Sequence, residues 1–276
     1  MSRRILTHLC SADPVLAGVI AAVGALRMRE DSQRETFEVL ARAITYQQLN
    51  GKAAAAIFAR LAALGDGAFP RPDALLAMDP ARLRAVGLSF AKIASLRDLA
   101  EKTLSGVVPA SAVLRTLADE VIIERLTEVR GIGRWTVEML LMFQLGRPDV
   151  LPVDDFGVRN GFRLAYGLRA MPHPRALGLF GERWGPYRSA AAWYLWRAVE
   201  LQREGRLPAP PHKTRLPRVR RLRRVRRART GSGVSGGSPR GLSRGASSSA
   251  PPPPAGARTG ARPRRARRSR APAKKR

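Results

Sequence analysis

Cysteine is almost missing from this chain of 276 residues: Cys10 stands alone. A single thiol closes no disulfide within the chain and supplies no cysteine-based zinc or iron–sulfur site, which suits a reducing compartment. Long apolar runs are missing as well. None reaches the roughly 20 residues that a membrane-spanning helix requires, so no membrane partner is expected. Asp13 and Pro14 interrupt the approach to the apolar stretch Val15–Leu26, and no convincing cleavage site follows it. A signal peptide is therefore not expected. Nor does any segment sustain the period-2 alternation of a half-buried strand, which leaves an all-α body.

Acidic residues are absent from one region altogether. Beyond residue 205 there is no Asp or Glu, against 23 of the 50 Lys and Arg. The first 205 residues hold the other 27 basic side chains and all 21 acidic ones, so most of the net charge of +29 belongs to the tail. A mildly basic body with a strongly basic tail points to a polyanion, DNA or RNA before an acidic membrane. The tail contains the nearly solid basic run RLPRVRRLRRVRRART and continues in Gly, Ser, Pro and Arg. Such a composition buries too little apolar surface to offset its ordering entropy, so disorder is expected over 206–276.

What the first 205 residues do hold is helical periodicity. Ser11-Ala-Asp-Pro reads as a helix start, with Ser11 as the cap and Pro14 in the first turn. Apolar residues then recur at helical spacing through Val15–Leu26. A second run, Phe37, Leu40 and Ile44, leads to an Asn50-Gly51 pair expected to end that helix. An alanine-rich helix follows over Lys52–Leu64, then short helices at DALLAM and ARLRAV and a longer one over Phe90–Leu104. Ser111–Ala118, Glu120–Val129, a segment from Phe156 to Gly167, Arg175–Trp184 and Tyr187–Leu201 complete roughly ten helices.

The most informative stretch is Leu126–Gly161. Val129-Arg-Gly131-Ile-Gly133 sits between two apolar-patterned segments. Glycines there permit positive φ and close approach of another molecule. The amides of the turn and of the next helix start then form an anion site, with Arg134 and Thr136 beside it, and a DNA phosphate is the natural occupant. A Gly-x-Gly alone reads more readily as an ordinary helix end; the longer pattern, with Leu126, Val129 and Ile132 apolar, goes beyond that. About twenty residues on stand Asp154 and Asp155. Taken by itself, a pair of carboxylates at a helix start reads as double capping rather than chemistry.

LTEVRGIGRWTVEML and GRPDVLPVDDFGVRNGF resemble the helix-hairpin-helix and the following Gly/Pro-rich loop and aspartate of a large group of DNA glycosylases. ITYQQLNGKAAAAIFARL, GLSFAKIASLRDLA and ERWGPYRSAAAWYLWRA resemble its DNA-3-methyladenine glycosylase II family in the short form, without an extra N-terminal β-rich domain. The resemblance covers roughly residues 12–203. It implies a two-lobed helix-hairpin-helix glycosylase fold over 1–205, with the hairpin at about 124–143, followed by the basic tail.

The resemblance also implies roles. Asp155 would be the catalytic carboxylate, stabilising an oxocarbenium-like sugar and orienting water; Asp154 would cap the helix from Phe156. Bifunctional relatives carry a lysine where this chain has Trp135, so water rather than an amine is the expected nucleophile. Alkylated purines are cationic, and aromatic faces attract cations; Trp135 and Trp196, with Tyr46 and Tyr187, are the expected base pocket. Leu49 is the expected wedge, with Gln48 facing the opposite base, and Lys52 and Lys92 are candidate phosphate contacts. The carbonyls of Thr127, Val129 and Ile132 would hold a monovalent cation, Na+ or K+; no cofactor is required. The expected partner is double-stranded DNA containing alkylated bases, bound by a monomer in the bacterial cytoplasm and nucleoid. Two other readings stay open at this point: a bifunctional glycosylase/lyase, and a non-catalytic architectural DNA-binding protein.

Overall fold

The computed structural model describes residues 2–28, 34–212 and 214–217. Within them the chain is helical throughout, with no strand. In order, α1 is Ser2–Ala12, α2 Pro14–Val23, α3 Thr36–Tyr46, α4 Gly51–Ala62, α5 Pro72–Ala77, α6 Pro80–Ala85 and α7 Phe90–Leu104. There follow α8 Ser111–Leu114, α9 Asp119–Thr127, α10 Arg134–Phe143, α11 Phe156–Ala165, α12 Pro174–Gly181, a short 3-10 turn Glu182–Trp184 and α13 Arg188–Arg203.

The helices pack in two groups. In one, α7 is the spine against which α3, α5 and α6 lie, with α4 on α3 and α9 on α10. In the other, α1 and α2 from the beginning of the chain pack with α11, α12 and α13 from its end. The apolar faces of both groups merge into one buried cluster, from Leu9 and Leu16 through Leu96 and Leu126 to Phe162 and Leu195. The loop between α10 and α11 passes from the first group to the second. Residues on either side of that loop therefore meet across the seam.

Several boundaries differ from expectation for identifiable reasons. The helix expected to start at Ser11 is two helices. Asp13, not Ser11, is the N-cap of α2 and accepts from the Val15 and Leu16 amides at 3.1 Å. Pro14 has no amide to lose at that position, and α1 ends just before it. The Asn50-Gly51 pair begins a helix rather than ending one: the Asn50 side chain accepts from the Ala53 amide at 2.9 Å and caps α4. Beyond residue 205 the described chain does not leave the body at once. Leu207 and Leu216 pack against the core, and Pro208 and Pro210 lie against Gly18 and Gly167. Most of the expected basic tail, residues 218–276, lies outside the described residues.

Candidate active site

Asp155 stands at the seam. It is the N-cap of α11, and its Oδ1 accepts from the Val158 amide at 2.6 Å. The cap expected of Asp154 is thus made by Asp155, and Asp154 is exposed beside it. Two indoles complete the grip. Trp196 Nε1–H, from α13, donates to Asp155 Oδ1 at 2.8 Å, and Trp135 Nε1–H, from α10, donates to Oδ2 at 2.7 Å. Three donors from three helices hold one carboxylate, and hydrogen bonds to a charged acceptor are the stronger kind. Oδ1 carries two of them; Oδ2 carries one and keeps acceptor capacity.

Glycine makes this approach possible. A methyl at Gly157 would lie 2.7 Å from Trp196 Cδ1 and 2.9 Å from its Nε1. One turn on, a methyl at Gly161 would overlap the Leu195 carbonyl. Gly157 and Gly161 share a face of α11, so α13 lies against bare backbone and Trp196 reaches over the first turn of α11 to the carboxylate. Phe143 stacks on Trp196 with ring centroids 5.9 Å apart. Phe156, next to Asp155, is 63% exposed, so the site opens to solvent on that side.

The other expected pocket aromatics are elsewhere. Tyr187 caps the far end of α13, nine residues and therefore roughly 13 Å along the axis from Trp196, with its ring against His8. The Tyr46 ring packs edge-on to Phe58 and already carries the Arg42 guanidinium 4.2 Å from its centroid. No described contact joins either tyrosine to Asp155.

The hairpin turn has the expected form at one glycine. Gly131 has φ 82, a conformation that only glycine adopts freely. Gly133 is extended at φ −100, ψ 168 and caps α10; its use lies in open space, since a methyl there would meet nothing within 4 Å. Among the described hydrogen bonds, none uses the Gly133, Arg134 or Trp135 amide, the orphan donors of a helix start.

Two expected DNA contacts beside this turn are otherwise engaged. Arg134 spans Glu120, through Nη1 and Nη2 at 3.1 and 2.7 Å, and Glu138, through Nε at 3.1 Å. Two carboxyl groups therefore compete with a phosphate for its charge, and its side chain remains 53% exposed. Thr136 is buried, and its amide donates to Gly133 O at 2.9 Å. Of the three carbonyls expected to hold a cation, Val129 O accepts from the Ile132 amide at 3.0 Å and keeps a second lone pair. Thr127 ends α9, and Val129 and Ile132 follow it in the turn.

At the tip between α3 and α4, Gln48 has φ 58, the one positive φ outside glycine among the described residues. Gln48 is exposed, Leu49 half-buried and Lys52 exposed. Lys92 Nζ donates to Thr45 O at 2.6 Å, and burial pushes its ammonium below the usual range.

Three features went unread in the sequence. Phe143 belongs to the aromatic group at Trp196. Glu138 is buried on α10; burial pushes its carboxyl up to about 7, Asp154 and Glu120 add to this, and Arg134 opposes it. The spacing of Arg134 and Glu138, four apart, was the available signal. Third, one face of α7 serves the hairpin. Asp98 Oδ2 accepts from the Arg130 amide at 2.7 Å, and Lys102 Nζ donates to Asp98 and to Glu128 O, both at 2.8 Å.

A family model described as HhH-GPD superfamily base excision DNA repair protein matches residues 41–186. The chain belongs to this superfamily. Within it, the DNA-3-methyladenine glycosylase 1 of Schizosaccharomyces pombe is 43% identical over 196 residues, covering 70% of this chain and 86% of that protein. The DNA-3-methyladenine glycosylase 2 of Escherichia coli is 30% identical over 195 residues, covering 66% and 65%. Two HhH-GPD structures also match. The S. pombe 3-methyladenine DNA glycosylase in complex with abasic DNA gives a TM-score of 0.66 at 42% identity, covering 72% of this chain and 97% of that one. A DNA-3-methyladenine glycosidase of Bacillus halodurans gives 0.67 at 33% identity, covering 74% and 94%.

Proposed function

We infer that this protein is a monofunctional DNA-3-methyladenine glycosylase of base excision repair. It hydrolyses the N-glycosidic bond of alkylated purines in double-stranded DNA and leaves an abasic site. The observation that carries the reading is Asp155, a carboxylate fixed by two indole N–H groups and a backbone amide at an open seam. As the bond from C1′ to the base breaks, its electron pair leaves with the base and neutralises the cationic purine. The positive charge passes to the sugar, where a preorganised carboxylate stabilises it. Water then adds to C1′ and gives up its proton, with Asp155 Oδ2 as the acceptor in reach. Trp135 in place of a lysine leaves no amine at that position for a covalent lyase step.

Recognition rests on the aromatic faces of Trp135, Trp196 and Phe143, which attract a cationic base by about 0.5–2 kcal/mol, and on the easier extrusion of a damaged base. Leu49 fills the gap in the stack, Gln48 faces the opposite base, and the amides at Gly131 and Gly133 take a phosphate, with Lys52 nearby. A Na+ or K+ on the carbonyls of Thr127, Val129 and Ile132 would reinforce that turn. The protein acts as a monomer on DNA in the bacterial cytoplasm, and its basic tail adds a sequence-independent grip that weakens steeply with salt.

The reading predicts release of 3-methyladenine and 7-methylguanine from methylated duplex DNA by the full chain, with no adduct trapped by borohydride. Absence of release would favour an architectural role; a trapped adduct would restore the lyase. Truncation after Pro217, which spares the packed Leu207 and Leu216, is expected to flatten the salt dependence of duplex binding. An unchanged slope would exclude the tail from DNA binding.

A further inference from the structure

Leu49 can displace a base only if the loop behind it resists being pushed back. That loop has little of its own to resist with. It spans four residues between α3 and α4, its Leu49 amide reaches Tyr46 O at 3.3 Å, and Gln48 is in the left-handed region. A non-glycine residue there costs roughly 1–2 kcal/mol, so something outside the loop must hold the conformation.

The external tie is Gln47. Its Nε2 donates to Gly131 O at 2.7 Å, across 84 positions of sequence. Gly131 is the residue of the hairpin that needs positive φ, and its α-carbon faces Ser95 so closely that a methyl there would stand 3.0 Å from Ser95 Oγ. Ser95 belongs to α7, as do Lys92, which holds Thr45 O at the end of α3, and Asp98 and Lys102, which hold Arg130 N and Glu128 O in the hairpin. Positions 92, 95, 98 and 102 share one face of a helix. The two DNA-facing loops are therefore fixed to a common spine, and Gln47 bridges them directly.

We infer that Gln47 is a positioning residue that locks the wedge loop at Leu49 to the phosphate-gripping hairpin at Gly131. This rests on the glycosylase reading. Its contribution falls on base extrusion: with the hairpin clamped on a phosphate, the bridge fixes how far the wedge stands from the nucleotide being flipped.

The test uses the full chain and a duplex carrying one 7-methylguanine, either opposite cytosine or opposite an abasic-site analogue, where little pairing has to be broken. Gln47→Met keeps the length of the side chain and removes the donor; Gln47→Glu keeps the shape and replaces the donor with an acceptor. Both are expected to slow single-turnover release from the paired duplex roughly threefold to tenfold, the worth of one net hydrogen bond. Release from the unpaired lesion is expected to stay at the wild-type rate, and the melting temperature to fall by no more than a few degrees. Equal slowing on both substrates, or slowing on neither, would overturn the inference. Wild type that releases base from neither duplex would overturn the glycosylase reading itself.

Discussion

Asp13 and Asp155 are wired almost alike and do different work. Each is the N-cap of a helix, α2 and α11 respectively, and each takes a tryptophan N–H. Asp13 accepts from Trp184 Nε1 at 2.9 Å and from Tyr166 O–H at 2.6 Å. Asp155 accepts from Trp196 Nε1 and Trp135 Nε1. The difference is access. Asp13 is 2% exposed and enclosed by the aromatic cluster of Phe162, Tyr166, Phe180 and Trp184. Asp155 is half-buried at a seam between helix groups, with Phe156 and Asp154 facing solvent. The same hydrogen-bond pattern ties the two ends of the chain together in one place and, on the glycosylase reading, readies a carboxylate for a substrate in the other. Hydrogen bonding fixes the group; whether a reacting atom can reach it decides its function.

The comparison can be broken from either side. Asp13→Ala should have the largest effect on stability, because it leaves two buried donors unmatched and uncaps α2. The expected cost is about 3 kcal/mol or more, read as a fall in Tm of roughly 6–12 °C, with the rate of base release by the remaining folded protein preserved. Loss of activity without loss of stability would show that Asp13 is not purely structural.

Glu138 supplies the contrasting case, a buried carboxyl with one guanidinium and no helix to cap. Its folded value of about 7 lies above the ordinary 4.5. The folded state therefore binds the proton more tightly than the unfolded state does. The associated stability is present below about pH 4.5 and is lost as pH rises through 7. Glu138→Gln should remove that slope, gaining on the order of 2–3 kcal/mol relative to wild type between pH 4 and pH 8 in denaturant titrations. Parallel pH profiles would refute it. The smallest effect is expected when indole N–H groups are removed while an aromatic face is kept. Trp135→Phe or Trp196→Phe should slow base release roughly tenfold with little change in DNA affinity, whereas Trp184→Phe should lower Tm and leave the rate alone.

These contrasts also mark what the sequence could tell. Local signals were legible. Apolar periodicity over Phe90–Leu104 defined α7 to the residue. Positive φ at Gly131 followed from the turn, and Asp155 came from the resemblance. Long-range partners were not legible. Nothing near Asp13 announces Trp184, 171 positions away, so Ser11 looked an equally good cap. Nothing beside Arg134 announces Glu120, fourteen residues earlier, which folds against it. Trp135 and Trp196 were legible as aromatics, but the direction of their N–H groups depends on α13 lying against Gly157 and Gly161, a contact between helices far apart in sequence. Nothing in the sequence around Tyr187 announces that its ring packs against His8, near the other end of the chain. Leu207 and Leu216 were hidden by the average composition of a basic tail.

The central claim is that Asp155, held in place by two tryptophans, carries the chemistry. The direct measurement is single-turnover release of 3-methyladenine from methylated duplex DNA by wild type and by Asp155→Asn, with Tm recorded for both. Asparagine still caps a helix, so the account predicts a Tm within a few degrees of wild type and a rate lower by about a hundredfold or more. Base release by Asp155→Asn at the wild-type rate would contradict it.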